Sequence, residues 1–286
     1  MRNQETMLRL FDKVAMLDNR IRLSVLEGSL TNPNISKDKY QDYDITFFVT
    51  DRASFLETDE WLSLFGNVIY MQKPEEMTLF PPENPNMYSY LMYLDDGIKV
   101  DLSLVEVTKI SWYLAHSDGL VETLLDKDNR LPHLPVASDK KYWLKKPTQT
   151  EFNDCLNEFW HVSTYVAKGI ARNELLFALD HLNQNIRPEL LRMMSWEVGF
   201  CHGYEQSLGK NYKFISKYLS KEDWEIFLKT FDLSNVEKIT SSFWLTVNLF
   251  QEYSKKVSEH LEFNYPTDDE IIINFIDEFY LTKPLK

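Results

Sequence analysis

Three aspartates set on β-forming sequence constrain this chain more than anything else in it. Gly28-Ser29 is followed by Asp42-Tyr43-Asp44 and later by Asp101 within Ile98-Lys99-Val100-Asp101-Leu102. Residues i and i+2 of an extended strand project from one face, so Asp42 and Asp44 point the same way. A third carboxylate on a neighbouring strand can then close around a pair of magnesium ions. The flanking sequence supports strands. Residues 21–26 alternate and run up to the glycine, and 45–49 continue from the acidic pair with β-branched and aromatic residues. Residues 88–94 and 98–105 flank Asp95-Asp96-Gly97, a turn signal for a hairpin, which puts Asp101 on the second strand.

Each piece alone is weak. An acidic chain contains many Asp-x-Asp pairs in solvated turns, and an isolated Gly-Ser is most simply a tight turn. Asp101 adds weight, because a carboxylate between Val100 and Leu102 on a strand needs a metal or a partner to offset its desolvation. Together the pieces point to phosphoryl chemistry.

A Gly-Ser at a strand end, an Asp-x-Asp some way on and a third carboxylate on a later strand is a pattern that resembles the nucleotidyltransferase superfamily. The wording of Leu26-Glu27-Gly28-Ser29-Leu30-Thr31-Asn32-Pro33 and of Leu175-Leu176-Phe177-Ala178-Leu179-Asp180-His181-Leu182-Asn183 is similar to the bacterial aminoglycoside 6-adenylyltransferases, which modify streptomycin, and the likeness runs over nearly the whole chain. The resemblance implies transfer of AMP from ATP to a hydroxyl of the drug, the 6-hydroxyl by the family's name, with release of pyrophosphate and antibiotic resistance as the result. It further implies two magnesium ions held by Asp42, Asp44 and Asp101, with Asp101 as general base, and phosphate contacts from Gly28 and Ser29. One departure is Gln41, where many superfamily members place a phosphate-binding serine. Two rival readings are a nucleotidyltransferase with a macromolecular acceptor and a nucleotide-binding module without turnover.

The fold expected is α+β: a mixed sheet with flanking helices of the nucleotidyltransferase kind over residues 1–147, then an all-helical domain over 148–286. A doubly wound sheet is disfavoured, since the hairpin supplies no helical crossover. The first part is expected to contain an amphipathic helix within residues 1–18, a helix over 51–65, a strand over 67–71 and a long proline-rich surface loop over 73–86. In the second part Thr150 is expected to cap a long helix, residues 173–184 to form another, and Pro188 to open a third. Further helices are expected over 222–230 and 236–260. The acceptor is expected to bind in a cleft between the two parts.

In the helical half, Lys210 or Lys213 is a candidate for the triphosphate, although a solvated helix face explains both equally well. Asp180 is a candidate for a guanidinium group of streptomycin, with a structural salt bridge as its rival. Trp196 and Glu197 are weaker candidates for a cationic sugar. Residues 203–211 are no phosphate-binding Walker loop, because the glycine spacing and the residue after the lysine are wrong.

Net charge is −13, from 31 basic against 44 acidic residues, which suits a cationic aminoglycoside and argues against a nucleic-acid partner. Cys155 and Cys201 have no paired spacing, so a reducing, cytoplasmic setting is expected. No run is apolar enough to suggest a membrane partner, and a monomer is compatible with all of this.

Overall fold

The computed structural model describes residues 2–82, 84–131, 134–266 and 268–282. Its contacts divide the chain into two compact units, Met1–Lys141 and Tyr142–Lys286.

The first unit runs α1 (Gln4–Leu17), β1 (Ile21–Glu27), β2 (Tyr43–Val49), α2 (Ala53–Leu56), β3 (Val68–Gln72), β4 (Met87–Leu94), β5 (Lys99–Glu106), α3 (Ile110–His116) and β6 (Val121–Asp126). The strands form one six-stranded sheet in the order β3-β4-β5-β2-β1-β6, with β2 parallel to β5 and the other neighbours antiparallel. This is the mixed sheet with flanking helices that the sequence implied. Leu94, Asp95, Asp96 and Gly97 close the hairpin between β4 and β5.

Alternation sorts the strands onto two unequal faces. Ile45, Phe47, Val100, Leu102 and Tyr90 pack with Phe11 and Phe65 into a large core under α1. The other face carries a smaller cluster of Leu23, Val25, Phe48, Val105 and Tyr113, the last brought in by α3. Truncating a fully enclosed ring such as Phe47 would cost about 3–5 kcal/mol, so the large core supplies much of the sheet's rigidity.

Three expectations in this unit are corrected. The helix over 51–65 is interrupted: α2 ends at Leu56 and a 3₁₀ segment, Glu60–Phe65, follows. The Thr58 hydroxyl accepts the Glu60 N–H, a local bond that competes with the helical ladder. The strand expected over 67–71 is Val68–Gln72, one residue later. The proline-rich loop contains a 3₁₀ turn, Pro74–Glu76, and its Glu83 lies outside the described residues.

The second unit comprises α4 (Gln149–Ala171), α5 (Leu175–His181), α6 (Arg187–His202), α7 (Lys221–Lys229), α8 (Val236–Leu261) and α9 (Asp269–Ile276). α4, α6 and α8 pack together around Phe159, Met194 and Phe250, with Phe159 and Phe250 stacked at a centroid distance of 3.5 Å. α4 is capped by Thr148, not Thr150. The Thr148 hydroxyl accepts the Glu151 N–H, and the Glu151 carboxylate accepts the Thr148 N–H, a reciprocal capping box.

Asn173 ends α4 instead of opening α5. It sits at φ 56°, its N–H bonds the Ile170 carbonyl, and the Glu174 N–H bonds that of Gly169, the pattern of a Schellman stop. α5 then continues through a π-helical turn, Leu182–Ile186, into α6, which carries Pro188 in its first turn. Among the described residues no helix is long and apolar enough to cross a membrane.

Candidate active site

Register, more than any single residue, builds the site. Asp44 on β2 lies opposite Glu27 on β1 and opposite Asp101 on β5. The same three strands pair Val25 with Thr46 and Thr46 with Ser103, and Leu23 with Phe48 and Phe48 with Val105. Cross-strand partners share a face, so that face grades from an apolar row through a hydroxyl row to a row of three carboxylates. Asp42, two residues before Asp44, extends the acidic end.

A cation already sits among these acids. The Lys99 ammonium donates to Asp42 Oδ2 and to Asp101 Oδ2, each at 2.7 Å. Asp101 Oδ1 is buried with no hydrogen-bond partner, so half of this carboxylate's bonding capacity is unused. Burial, then the neighbouring charges of Asp101, Asp42 and Glu27, push the Asp44 carboxyl up to about 7, with Lys99 opposing them. Burial likewise raises Glu27, which accepts hydrogen bonds from the Tyr113 hydroxyl and, at 3.0 Å, from Thr46 Oγ1. Four carboxylates crowded around one ammonium leave the site short of positive charge.

The turn after β1 is shaped to this cluster. Gly28 adopts φ +69°, and a Cβ there would collide with Asp44 Oδ2 and lie 3.2 Å from Asp44 Cγ. Gln41 Nε2 donates to the Ser29 carbonyl at 3.2 Å and to Ser29 Oγ at 3.1 Å. Gln41 therefore ties the Gly-Ser turn to the start of β2. Beside the cluster a cavity of about 430 Å³ is lined by Asp42 and Lys99 together with Arg2, Lys39, Tyr40 and Ile98.

The fold thus brings together Gly28, Ser29, Asp42, Asp44 and Asp101. Glu27 and Lys99 join them without having been singled out from sequence. Lys99 had a signal, since Lys99-x-Asp101 on a strand must share a face. Glu27 had none of comparable strength, because its place beside Asp44 follows from pairing register.

The candidates of the helical unit stand on several elements. Asp180, on α5, is exposed and holds no ion pair among the described residues, so the rival salt bridge is absent there. Lys210 and Lys213 are exposed in the loop after α6, where Asn211 and Tyr212 both adopt positive φ. Trp196 is packed into the helical core at 9% exposure. Glu197 is engaged by His260 and Cys201.

The Asp44 shift gives a signed expectation. In the unfolded chain this carboxyl ionises near 4, so between about pH 4 and 7 the folded protein holds a proton that the unfolded one has lost. Its contribution to stability therefore falls as pH rises across that window. Without divalent ions, Asp44→Asn should exceed the parent in thermal unfolding by a clearly larger margin at pH 8 than at pH 5. An equal difference at both values would sink this assignment.

The streptomycin adenylyltransferase family profile matches residues 1–279. The chain is 50% identical over 280 residues to an aminoglycoside 6-adenylyltransferase of Bacillus subtilis (strain 168), covering 98% of this chain and 99% of the relative. It is 51% identical over 280 residues to the protein of that name from Staphylococcus aureus, with the same coverage. The likeness to the Campylobacter jejuni protein is 46% over 276 residues, covering 96% of this chain and 95% of the relative.

Proposed function

The chain belongs to the streptomycin adenylyltransferase family, and we propose that it transfers AMP from ATP to a hydroxyl of streptomycin, with Asp42, Asp44 and Asp101 holding two magnesium ions. The observation that carries the site assignment is the side-by-side placement of Asp44 and Asp101 on parallel strands, with Lys99 bridging Asp101 to Asp42.

The donor set suits a hard divalent cation. It offers carboxylate oxygens alone, one of them buried and unpartnered, and it already draws an ammonium group into its centre. When bound, magnesium supplies positive charge against the phosphates and lowers the pKa of the acceptor hydroxyl. Asp101 takes the proton of that hydroxyl. A bond forms between the drug oxygen and the α-phosphorus as the bond to the pyrophosphate oxygen breaks, and pyrophosphate leaves. Lys99 and Lys39 at the cavity edge offset phosphate charge. Gly28 leaves room for Asp44, and Gln41 fixes the Ser29 hydroxyl beside it.

In the helical unit, Asp180 offers an exposed carboxylate for a guanidinium group, and Lys210 and Lys213 offer exposed ammonium groups for phosphate. The product carries added bulk and negative charge on a drug that works as a compact cation, which accounts for resistance.

Pyrophosphate release from ATP should require both magnesium and streptomycin, and the drug recovered should be heavier by one AMP residue. Release at the same rate without drug, or with drug of unchanged mass, would exclude streptomycin as acceptor.

A further inference from the structure

Apart from the sheet carboxylates, one cluster of metal-ligating side chains stands out on the helical unit. Glu197 and Cys201 are four residues apart on α6 and so share a helix face, and His260 reaches the same point from the last turn of α8. Cys201 Sγ lies 3.5 Å from Glu197 Oε1, and His260 Nδ1 lies 2.9 Å from Glu197 Oε2. One ligand atom from each residue can be chosen so that all three fall within 4.8 Å of one another.

We propose that Glu197, Cys201 and His260 form a binding site for a single zinc-class transition-metal ion, with a fourth coordination position left to water. A thiolate, an imidazole and a carboxylate are the donors zinc takes, and a tetrahedral ion holds such atoms about 3.3–3.7 Å apart. The observed separations need to close by at most about 1.5 Å, within the reach of side-chain rotation. A thiolate and a carboxylate balance the charge of a divalent ion, leaving a neutral centre.

The surroundings favour such a site. Stacking on Phe200, with centroids 4.3 Å apart and planes 9° from parallel, fixes the plane of the His260 ring. The Glu197 side chain is 12% exposed and that of His260 38%, so the carboxylate is anchored inside while the imidazole side stays open for entry. Tyr204, whose ring lies against Gly199 of α6, has a buried hydroxyl without a hydrogen-bond partner. An ion here would tie α6 to the end of α8, and it would draw Glu197 away from any contact with drug.

Cobalt(II) titration of the intact protein tests this, because a thiolate bound to cobalt gives a charge-transfer band that carboxylate-bound cobalt does not. One equivalent should develop the band, Cys201→Ser should abolish it, and His260→Gln should raise the half-saturating cobalt concentration by at least about tenfold. Zinc should raise the thermal unfolding midpoint of the parent by clearly more than that of either variant. Both substitutions fall on exposed side chains, so the variants should fold. Saturation with no thiolate band, or a band that His260→Gln leaves unchanged, would overturn the proposal. Cys155 is no rival source of the band, since it is buried with its thiol donated to the Glu189 carbonyl.

Discussion

Asp101→Asn is expected to lower kcat for streptomycin by about 10³-fold while the thermal unfolding midpoint of the metal-free protein stays level or rises. The two readouts separate because the aspartate's chemistry and its contribution to the fold have opposite signs. For catalysis the substitution removes the base and one anionic oxygen from the metal cluster. For stability it removes a negative charge that faces Asp44 directly across the β2–β5 pair and helps to push that carboxyl up to about 7. Lys99 loses one of its two carboxylate partners but keeps Asp42 at 2.7 Å. Asparagine is close in volume to aspartate, so the Val100 and Leu102 packing on the opposite face is untouched. Steady-state kinetics with a parallel thermal melt decides the matter. A variant with kcat within tenfold of the parent would remove Asp101 from the reaction centre, and a large fall in the midpoint would mark it as structural.

That opposition of sign explains what was legible in the sequence. The strands bearing the site announce themselves, because Ile45–Val49 and the turn at Asp95-Asp96-Gly97 obey local rules of alternation and turn chemistry. The aspartates stood out because ionised groups on buried strands are costly. What stayed hidden depends on pairing. Glu27 is one glutamate before a glycine until β1 is set in register with β2 and places it beside Asp44. Lys99 shares a face with Asp101 by strand alternation alone, but its second partner, Asp42, lies 57 residues away in the chain and is brought to it by the β2–β5 pairing.

In the helical unit the errors were local. Thr148-Gln149-Thr150-Glu151 spells a capping box whose glutamate lies three residues after Thr148, so the cap could have been assigned from the Thr148–Glu151 spacing. Asn173 was read as a helix start although asparagine also suits the left-handed stop it forms. Trp196 illustrates a different limit. A tryptophan beside a glutamate on a helix looks like a sugar-binding pair, but neighbours in sequence point about 100° apart on a helix. Here Trp196 packs into the core while Glu197 meets His260 and Cys201.

Gly28→Ala should cost at least about 10²-fold in kcat/KM with only a small loss of stability, about 1–2 kcal/mol or a few degrees in the unfolding midpoint. The backbone term arises from φ +69°, a left-handed conformation that a Cβ disfavours. The larger effect is on geometry. The new methyl would occupy the space now filled by Asp44 Oδ2 and would press on Asp44 Cγ at 3.2 Å. The short Asp44 side chain can only rotate away, which moves the carboxylate off the row it shares with Glu27 and Asp101. The turn itself is held by the Gly28 N–H bond to the Leu120 carbonyl and by Gln41 on Ser29, and both survive the substitution. The damage is therefore confined to one carboxylate, which should appear as weaker magnesium binding in a calorimetric titration together with slower turnover. Unchanged magnesium affinity and turnover in a folded Gly28→Ala protein would show that Asp44 is not held against the glycine in solution. The phosphate-facing role of the Gly-Ser turn would then have to rest on Ser29 alone.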